Sequence, residues 1–569
     1  MRIESLKKPA VLIALALFCG SLLLRLVGIG WGLANGLHNQ SYHPDETINF
    51  GVSQSVFPAK TTLTPGFYNY GTAYFFAESM AVKVVAAYSG EPRSEWGEIA
   101  QGILVGRFVS ALAGAGTVVV LWLILRRITT QFGALFGAGL VGFAPGFVVH
   151  SRFATVDVFA AFWLALSALF ALRLLGAMPG SLAEADNREP RDIRDALLAG
   201  VFAGISAGTK YTGILVLVVL WVALGLTRRP GWWKALLVGT LACFLAFCAT
   251  TPGFLLDSKK FWADFNHEVF HSASGHGLVF LATPSGFIYH LINLAVGLGA
   301  LLTLAGVAGL AFAVCKKHPW AFALLAFAIV YYVVIGRAEV KFLRYTFPLL
   351  LPLGAGYGYA MGTAFRRKSR GSMALAVVGV FAISGNPLVL DFGGVIGVAR
   401  YTQFMVWTDP RDEAALYLKS SAPTGSVGLV SDPWFYSPAL VPDAGAVNRA
   451  NLSGLYREMA LLDHPKVLRY IPEGDLARRY DWDTRLLTEL RPDYVAYSSF
   501  EQGDVERLSA AQGLDPDTRV LVDHYKALME ELTKSYKPDS IFGVNTTPPL
   551  HDLMYIRPTI WVWKRKGLP

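Results

Sequence analysis

Of the 569 residues, 53% are hydrophobic and only 16% are charged, and the mean hydropathy is +0.42. Soluble domains carry about a quarter charged residues, so this composition excludes an ordinary soluble enzyme and indicates a polytopic membrane protein. The formal charge of +9 matters less than where the basic residues fall, and no nucleic-acid partner is expected.

Apolar runs of membrane-spanning length predict eleven helices, at 9–30, 103–125, 132–150, 156–175, 195–209, 211–227, 232–250, 286–314, 319–336, 344–363 and 372–390. The first run has no Ala-x-Ala cleavage site and reads as a retained helix, not a signal peptide. The segment 67–90 could cross by length, but it carries Glu78, Lys83 and several tyrosines. With 67–90 lying flat in a first outer loop of about 31–102, the basic connectors RIESLKK, LRRITTQ, NREPRDIRD, TRRPGWWK, CKKHP and FRRKSR all fall on the cytoplasmic side. If it crosses, the connectors beyond it fall outside, so it is taken as interfacial. This threading gives a multi-pass protein of a bacterial inner membrane with a cytoplasmic N-terminus.

Residues 391–569 contain no spanning run and form a separate extracytoplasmic domain. Helix-like 412–422 and strand-like 426–431, 492–500 and 558–566 predict a small α/β layered domain. Cys19, Cys243, Cys248 and Cys315 lie in or at the ends of apolar runs without pairing or metal-site spacing. Gly200, Gly204 and Gly208 have the spacing of close helix packing.

The threading collects charged residues at the outer rim. Asp45 and Glu46 lie in SYHPDETINF, Asp157 opens the fourth span, and Asp257 sits in TPGFLLDSKKFW. Arg152, Lys210, Lys259, Lys260, Arg337, Lys341 and Arg344 are on the same side, where basic residues are normally scarce. Snorkelling suffices for Lys259 and Lys260, whereas Lys210 and Arg344, set between or at the start of apolar runs, suggest an anion in an outward-facing cavity. Helix capping accounts well for Asp157 and adequately for Asp257, but less well for His43, Asp45 and Glu46 together. A carboxylate beside cations at a membrane surface suits group transfer: the acid deprotonates an acceptor hydroxyl, and the cations hold a leaving phosphate. His267 and His271, four apart in NHEVFHSASGHG, read as polar groups lining a substrate entrance in preference to a metal site, which needs a third ligand.

These segments, YHPDETINF, HSRFATVDVFAAF, AGISAGTKYTG, TPGFLLDSKKFWADFNHE and LRYTFPLLLP, occur in an order that resembles the GT-C glycosyltransferases. The resemblance is to the group of protein O-mannosyltransferases and lipid A aminoarabinose transferases, and it covers residues 1–390. It implies a GT-C membrane domain of about eleven helices that transfers a sugar, with inversion, from a polyprenyl-phosphate donor to an acceptor lipid, glycan or protein. It also implies Asp45 as general base with Glu46 beside it, and Asp157 as the second acid of the site. Lys210, Arg344, Tyr211, Tyr345 and Arg152 become candidates for the donor phosphate, and His43, His267, His271 and Asp257 for a substrate or metal loop. No cofactor is required by the resemblance; a divalent metal is left open. The sequence departs from the group at TPGFYNYGTAYFF, which lacks its Pro-Pro motif and neighbouring basic residue, so phosphate binding must be distributed differently. A transporter or lipid flippase is the alternative; it should show internal repeats and helices broken near the midplane.

Overall fold

The computed structural model describes residues 9–38, 40–90, 95–178, 192–367, 371, 374, 377–380, 393–440, 458–459, 466–470, 481–544 and 548–568. The helices of the membrane part are α1 (Pro9–Leu26), α2 (Pro44–Ser53), α3 (Ala73–Ser89), α4 (Glu95–Leu125), α5 (Gln131–Gly142), α6 (Pro145–His150), α7 (Val156–Arg173) and α8 (Asp192–Ala207). They continue with α9 (Leu217–Thr227), α10 (Trp232–Thr250), α11 (Gly253–Leu256), α12 (Ser258–Ser274), α13 (Gly286–Leu294), α14 (Ala300–Cys315), α15 (Pro319–Gly336) and α16 (Leu350–Arg367). Among the described residues six helices are long and apolar enough to cross a membrane: Pro9–Leu26, Gly97–Leu125, Val156–Arg173, Trp232–Thr250, Gly286–Cys315 and Pro319–Gly336. The chain is a multi-pass membrane protein.

Several predicted segments are interrupted, each for a local reason. The run 132–150 divides at Phe143–Ala144, because Pro145 starts α6 at a position where its missing N–H costs nothing and disfavours helix before it. The run 286–314 passes through a wide turn at Ala295–Gly299, where Gly299 takes φ +121°. The run 344–363 opens with a tight 3₁₀ turn, Leu343–Leu349, before α16. In 67–90, regular helix starts at Ala73, since Gly71 lies against the backbone at Gly208 and Ala73 N–H donates to the Gly208 carbonyl at 2.9 Å. The predicted run 372–390 lies mostly outside the described residues.

The bundle is polarised by charge. Arg126, Arg127, Arg173, Arg228, Arg229, Lys316, Lys317, Arg366 and Arg367 follow or close α4, α7, α9, α14 and α16. The helices that return from that end start with partners for them: Asp192 of α8 pairs with Arg229 at 2.9 Å and Asp195 with Arg173 at 3.4 Å. The other end carries α2, α3, α11, α12 and the C-terminal domain. Helix α8 lies along α10 so closely that a Cβ on Gly200 would fall 1.9 Å from the Gly239 carbonyl oxygen, and one on Gly208 would fall 2.1 Å from Thr250 Oγ1. Small residues are therefore required along this seam.

In the C-terminal part, helix Gly394–Val406 packs on α6 and leads into a six-stranded sheet. Its strands are β1 (Ser426–Leu429), β2 (Glu458–Met459), β3 (Lys466–Leu468), β4 (Tyr494–Ser498), β5 (Tyr536–Phe542) and β6 (Ile560–Arg565), in the order β2-β3-β1-β4-β6-β5. β1 runs parallel to β3 and β4, while β6 is antiparallel to β4 and β5. The predicted helix and three strands all form, as Pro410–Ser421, β1, β4 and β6. Helices Ser499–Ser509 and Pro516–Ser535 and strands β2, β3 and β5 are additional. One apolar cluster runs from the bundle into the sheet, from Leu169 and Phe347 to Ala414, Leu429 and Ile560, so the two parts share a core.

Gly200→Val should prevent α8 from seating on α10 and lower the yield and thermal midpoint of the protein in detergent. Gly225→Val in α9, where a Cβ meets nothing within 4 Å, should leave both near wild type; equal behaviour of the two variants would refute the seam.

Candidate active site

The site is built from the start of α2. His43 is the N-cap: its Nδ1 accepts the Asp45 N–H at 3.2 Å, and Pro44 occupies the first helical position. A cap needs a lone pair, and burial holds the His43 ring below its ordinary pKa and so neutral. Successive helical residues point about 100° apart, so the two acids that follow diverge. Glu46 turns into the protein and is completely buried. Arg107 of α4 grips it with Nε to Oε1 at 2.7 Å and Nη2 to Oε2 at 2.6 Å. Ala154 N–H donates to Oε1 at 2.7 Å and the Ser41 hydroxyl to Oε2. With its oxygens so occupied, Glu46 ties the first loop to α4 and to the turn before α7 and has no exposed surface to offer a substrate.

Asp45 points the other way, to Arg344. Arg344 Nη2 lies 3.2 Å from Asp45 Oδ2 and Nε lies 3.7 Å from Asp157 Oδ2. Lys210 Nζ completes the chain 2.5 Å from Asp157 Oδ1 and sits 4.1 Å above the Tyr345 ring. The order is Lys210, Asp157, Arg344, Asp45, with alternating charge. Side-chain exposure is 5% for Asp157 and 6% for Arg344 but 31% for Asp45, so Asp45 is the open end. The Arg344 guanidinium lies 4.0 Å from the centre of the Phe342 ring, and its Nη1 has no hydrogen-bond partner among the described residues.

Two cavities meet at the Asp45–Arg344 pair. One, of about 380 Å³, separates Asp45, Phe342 and Arg344 from the C-terminal domain, which contributes Ser431, Trp434, Asp481, Glu501, Asp504, His551 and Tyr555. The other, of about 230 Å³, lies on the membrane-part side against Phe67, Tyr70, Tyr345, His267, Glu268 and His271. Both are lined by Asp45, Ile48, His276, Phe342 and Arg344.

The remaining predicted residues divide. His267 and His271 line the smaller cavity, and the His271 and His276 rings share a hydrogen bond of 3.0 Å. Among the described residues no three His, Cys, Asp or Glu side chains are placed to hold a metal ion. Arg152 is away from the site: it donates to the Leu24 carbonyl at 2.8 Å and Thr402 Oγ1 at 2.7 Å, joining α1 to the helix Gly394–Val406. Tyr211 donates to the Tyr68 and Tyr70 carbonyls at 2.7 and 3.2 Å and fixes the loop before α3. Asp257 accepts from the Tyr68 hydroxyl at 3.1 Å and lines neither cavity. Lys210 lines neither cavity and stands behind Asp157.

Sequence reasoning missed Arg107, hidden in an apolar run, and the segment 551–555 of the C-terminal domain. Asp552 Oδ2 accepts the Arg344 backbone N–H at 3.2 Å and lies 3.6 Å from His150 Nε2. Tyr555 packs edge-on to His43 with ring centroids 4.9 Å apart. Burial, with His276 and Arg344 nearby, takes the His551 pKa down to about 3, so it is neutral at physiological pH. Only acid and base types were legible in sequence; a domain some two hundred residues downstream supplies no local spacing signal.

Residues 90–255 match the family described as dolichyl-phosphate-mannose-protein mannosyltransferase. No curated protein matches the chain in sequence. Among solved structures it is similar to apo ArnT from Cupriavidus metallidurans, with 21% identity, 73% of this chain and 72% of that one covered, and a TM-score of 0.48. It is also similar to the oligosaccharyltransferase AglB from Archaeoglobus fulgidus, solved with an inhibitory peptide and a dolichol-phosphate, with 12% identity, 95% and 74% covered, and a TM-score of 0.49. The S. cerevisiae Pmt1-Pmt2 complex aligns with 18% identity over 49% of this chain and 38% of that one, with a TM-score of 0.28.

Removing one partner of a buried ion pair leaves the other charge uncompensated, at a cost of about 3–5 kcal/mol. Glu46→Leu should therefore lower the thermal midpoint strongly, and adding Arg107→Met should recover part of the loss. A Glu46→Leu variant with wild-type stability would refute the structural role.

Proposed function

We propose that the chain is a membrane glycosyltransferase that moves a sugar from a polyprenyl-phosphate donor to an acceptor hydroxyl, with inversion and with Asp45 as general base. The observation that carries this reading is the position of Asp45: alone in its charge chain it keeps a third of its side chain open, and it faces both cavities. Two substrates approaching from the two cavities meet at this carboxylate and Arg344. The family matched by residues 90–255 uses a lipid-phosphate sugar by its description.

In the reaction Asp45 takes the proton from the acceptor hydroxyl as its oxygen bonds to the anomeric carbon. The bond from that carbon to the phosphate oxygen breaks, and its electron pair stays on the phosphate, whose negative charge rises. Arg344 offers the unpartnered Nη1 to that charge. Asp157 and Lys210 act through Arg344 as positioning residues, with the Tyr345 ring supporting the ammonium. The basic connectors at the opposite end of the bundle, read as cytoplasmic by the positive-inside rule, support a site on the outer face of the membrane.

Protein in nanodiscs would be incubated with undecaprenyl-phosphate hexoses and pentoses, and released undecaprenyl phosphate measured by mass spectrometry. Asp45→Asn should reduce turnover by roughly 10²–10⁴-fold, the usual contribution of a general base, while retaining donor binding. Near wild-type turnover would sink the base assignment.

Arg344→Ala should abolish retention of the lipid donor during purification, with Lys210→Ala retaining part of it. Undiminished donor retention in Arg344→Ala would remove the phosphate role.

A further inference from the structure

The larger cavity has walls whose chemistry selects an occupant. Trp434 stands at its rim with 44% of its surface exposed. Its backbone is held on both sides, since Trp434 N–H donates to Ser437 Oγ at 3.0 Å and the Ser437 hydroxyl donates to the Trp434 carbonyl at 2.8 Å. The indole also meets the Phe435 ring edge-on, with centroids 5.0 Å apart. An exposed indole on a fixed backbone adds little to the core and leaves aromatic surface lining the cavity.

The polar groups around it are mostly acceptors. Asp481, Asp504 and the Ser431 hydroxyl line the wall, and Asp45 lies at the floor. The nearby cations are engaged: Arg469 bridges Asp432 and Asp481 at 3.2 and 2.5 Å, and Arg507 holds Asp504 at 2.9 Å. His551 and His276 are kept neutral by burial. Arg344 is the one cation lining the cavity among the described residues, and it is shared with Asp45 at the floor. With its carboxylates paired to these arginines, the wall carries no excess positive charge to attract an anionic headgroup. It fits a molecule that has many hydroxyls to donate to carboxylates and a C–H face to lay on an indole. The volume, about 380 Å³, is within the roughly 300–1,000 Å³ of small-ligand sites.

We propose that this cavity is the acceptor site and that the acceptor is a neutral carbohydrate chain, whose terminal residues stack on Trp434 and direct a hydroxyl to Asp45. This rests on the transferase reading above and adds the acceptor class. The smaller cavity, on the other side of Asp45 and Arg344, is then the donor side. An inverting displacement needs that arrangement, because the acceptor oxygen enters opposite the departing phosphate.

The test uses the full chain in nanodiscs without donor. Saturation-transfer NMR would be recorded with a set of neutral hexose tetrasaccharides, and in parallel with a Ser/Thr-rich peptide and with phosphatidylglycerol. Saturable binding of a tetrasaccharide is expected, weakened at least tenfold by Trp434→Ala and partly restored by Trp434→Phe. Thermal midpoints equal to wild type would show that the Trp434 variants are folded. The proposal is overturned if no tetrasaccharide binds saturably, if Trp434→Ala binds as well as wild type, or if the peptide or the lipid shows the Trp434 dependence instead. Because no donor is present, these outcomes are independent of the turnover assay: sugar binding with no transfer would remove the transferase reading, and transfer without Trp434-dependent sugar binding would remove only the acceptor class.

Discussion

The buried pair of Glu46 and Arg107 is the constraint on which the rest of the site depends. Arg107 grips the carboxylate with two nitrogens and also donates to the Ile29 and Trp31 carbonyls at 2.7 and 2.5 Å. Glu46 in turn receives Ala154 N–H from the turn before α7. Three separate stretches of chain thus converge on one ion pair at zero exposure. Desolvating both charges is expensive, and good geometry with extra hydrogen bonds is what makes such a pair tolerable. Its effect is directional: once Glu46 is locked inward, the helical step of about 100° sends Asp45 outward. The two adjacent acids divide the work: one fixes the helix, and the other stays open to both cavities.

A second dependence joins the domains. Arg344 is approached from the bundle by Asp45 and Asp157, but its backbone N–H is taken by Asp552 of the C-terminal domain. Farther out, the Arg411 guanidinium lies 3.8 Å from the Tyr42 ring centre and 5.6 Å from that of Trp31, while Trp31 Nε1 donates to Asp409 Oδ2 at 3.2 Å. The first loop, which carries Asp45, is therefore clamped to the sheet domain as firmly as to the bundle. The C-terminal domain completes the site and cannot be regarded as an appendage.

These long-range ties explain what was legible in the sequence. Asp45, Asp157, Lys210 and Arg344 could be collected by topology alone, since charge at the end of an apolar run is costly and easily seen. The strands at 426–431, 492–500 and 558–566 announced themselves by short apolar patterns, and β1, β4 and β6 lie within them. Glu46 could not be separated from Asp45, because the residue that separates them, Arg107, is sixty-one positions away inside a run read as plain membrane helix. Arg152 was misplaced for the same reason: a basic residue at a span end looks the same whether it meets a phosphate or, as here, the Leu24 carbonyl. The helix breaks at Pro145 and Gly299 were visible as residue types but not as interruptions of a long hydrophobic signal.

The alternating chain Lys210, Asp157, Arg344, Asp45 also couples the two halves of the proposed reaction. Without substrate its two positive and two negative groups balance, and Arg344 divides itself between two carboxylates at 3.2 and 3.7 Å. A donor phosphate arriving at Nη1 adds a third anion to the same guanidinium. It competes with Asp45 for Arg344 and draws the guanidinium away from that carboxylate. Lys210, only 2.5 Å from Asp157, offsets part of the added negative charge. A single shared arginine would thus make donor binding the event that prepares Asp45 for the acceptor.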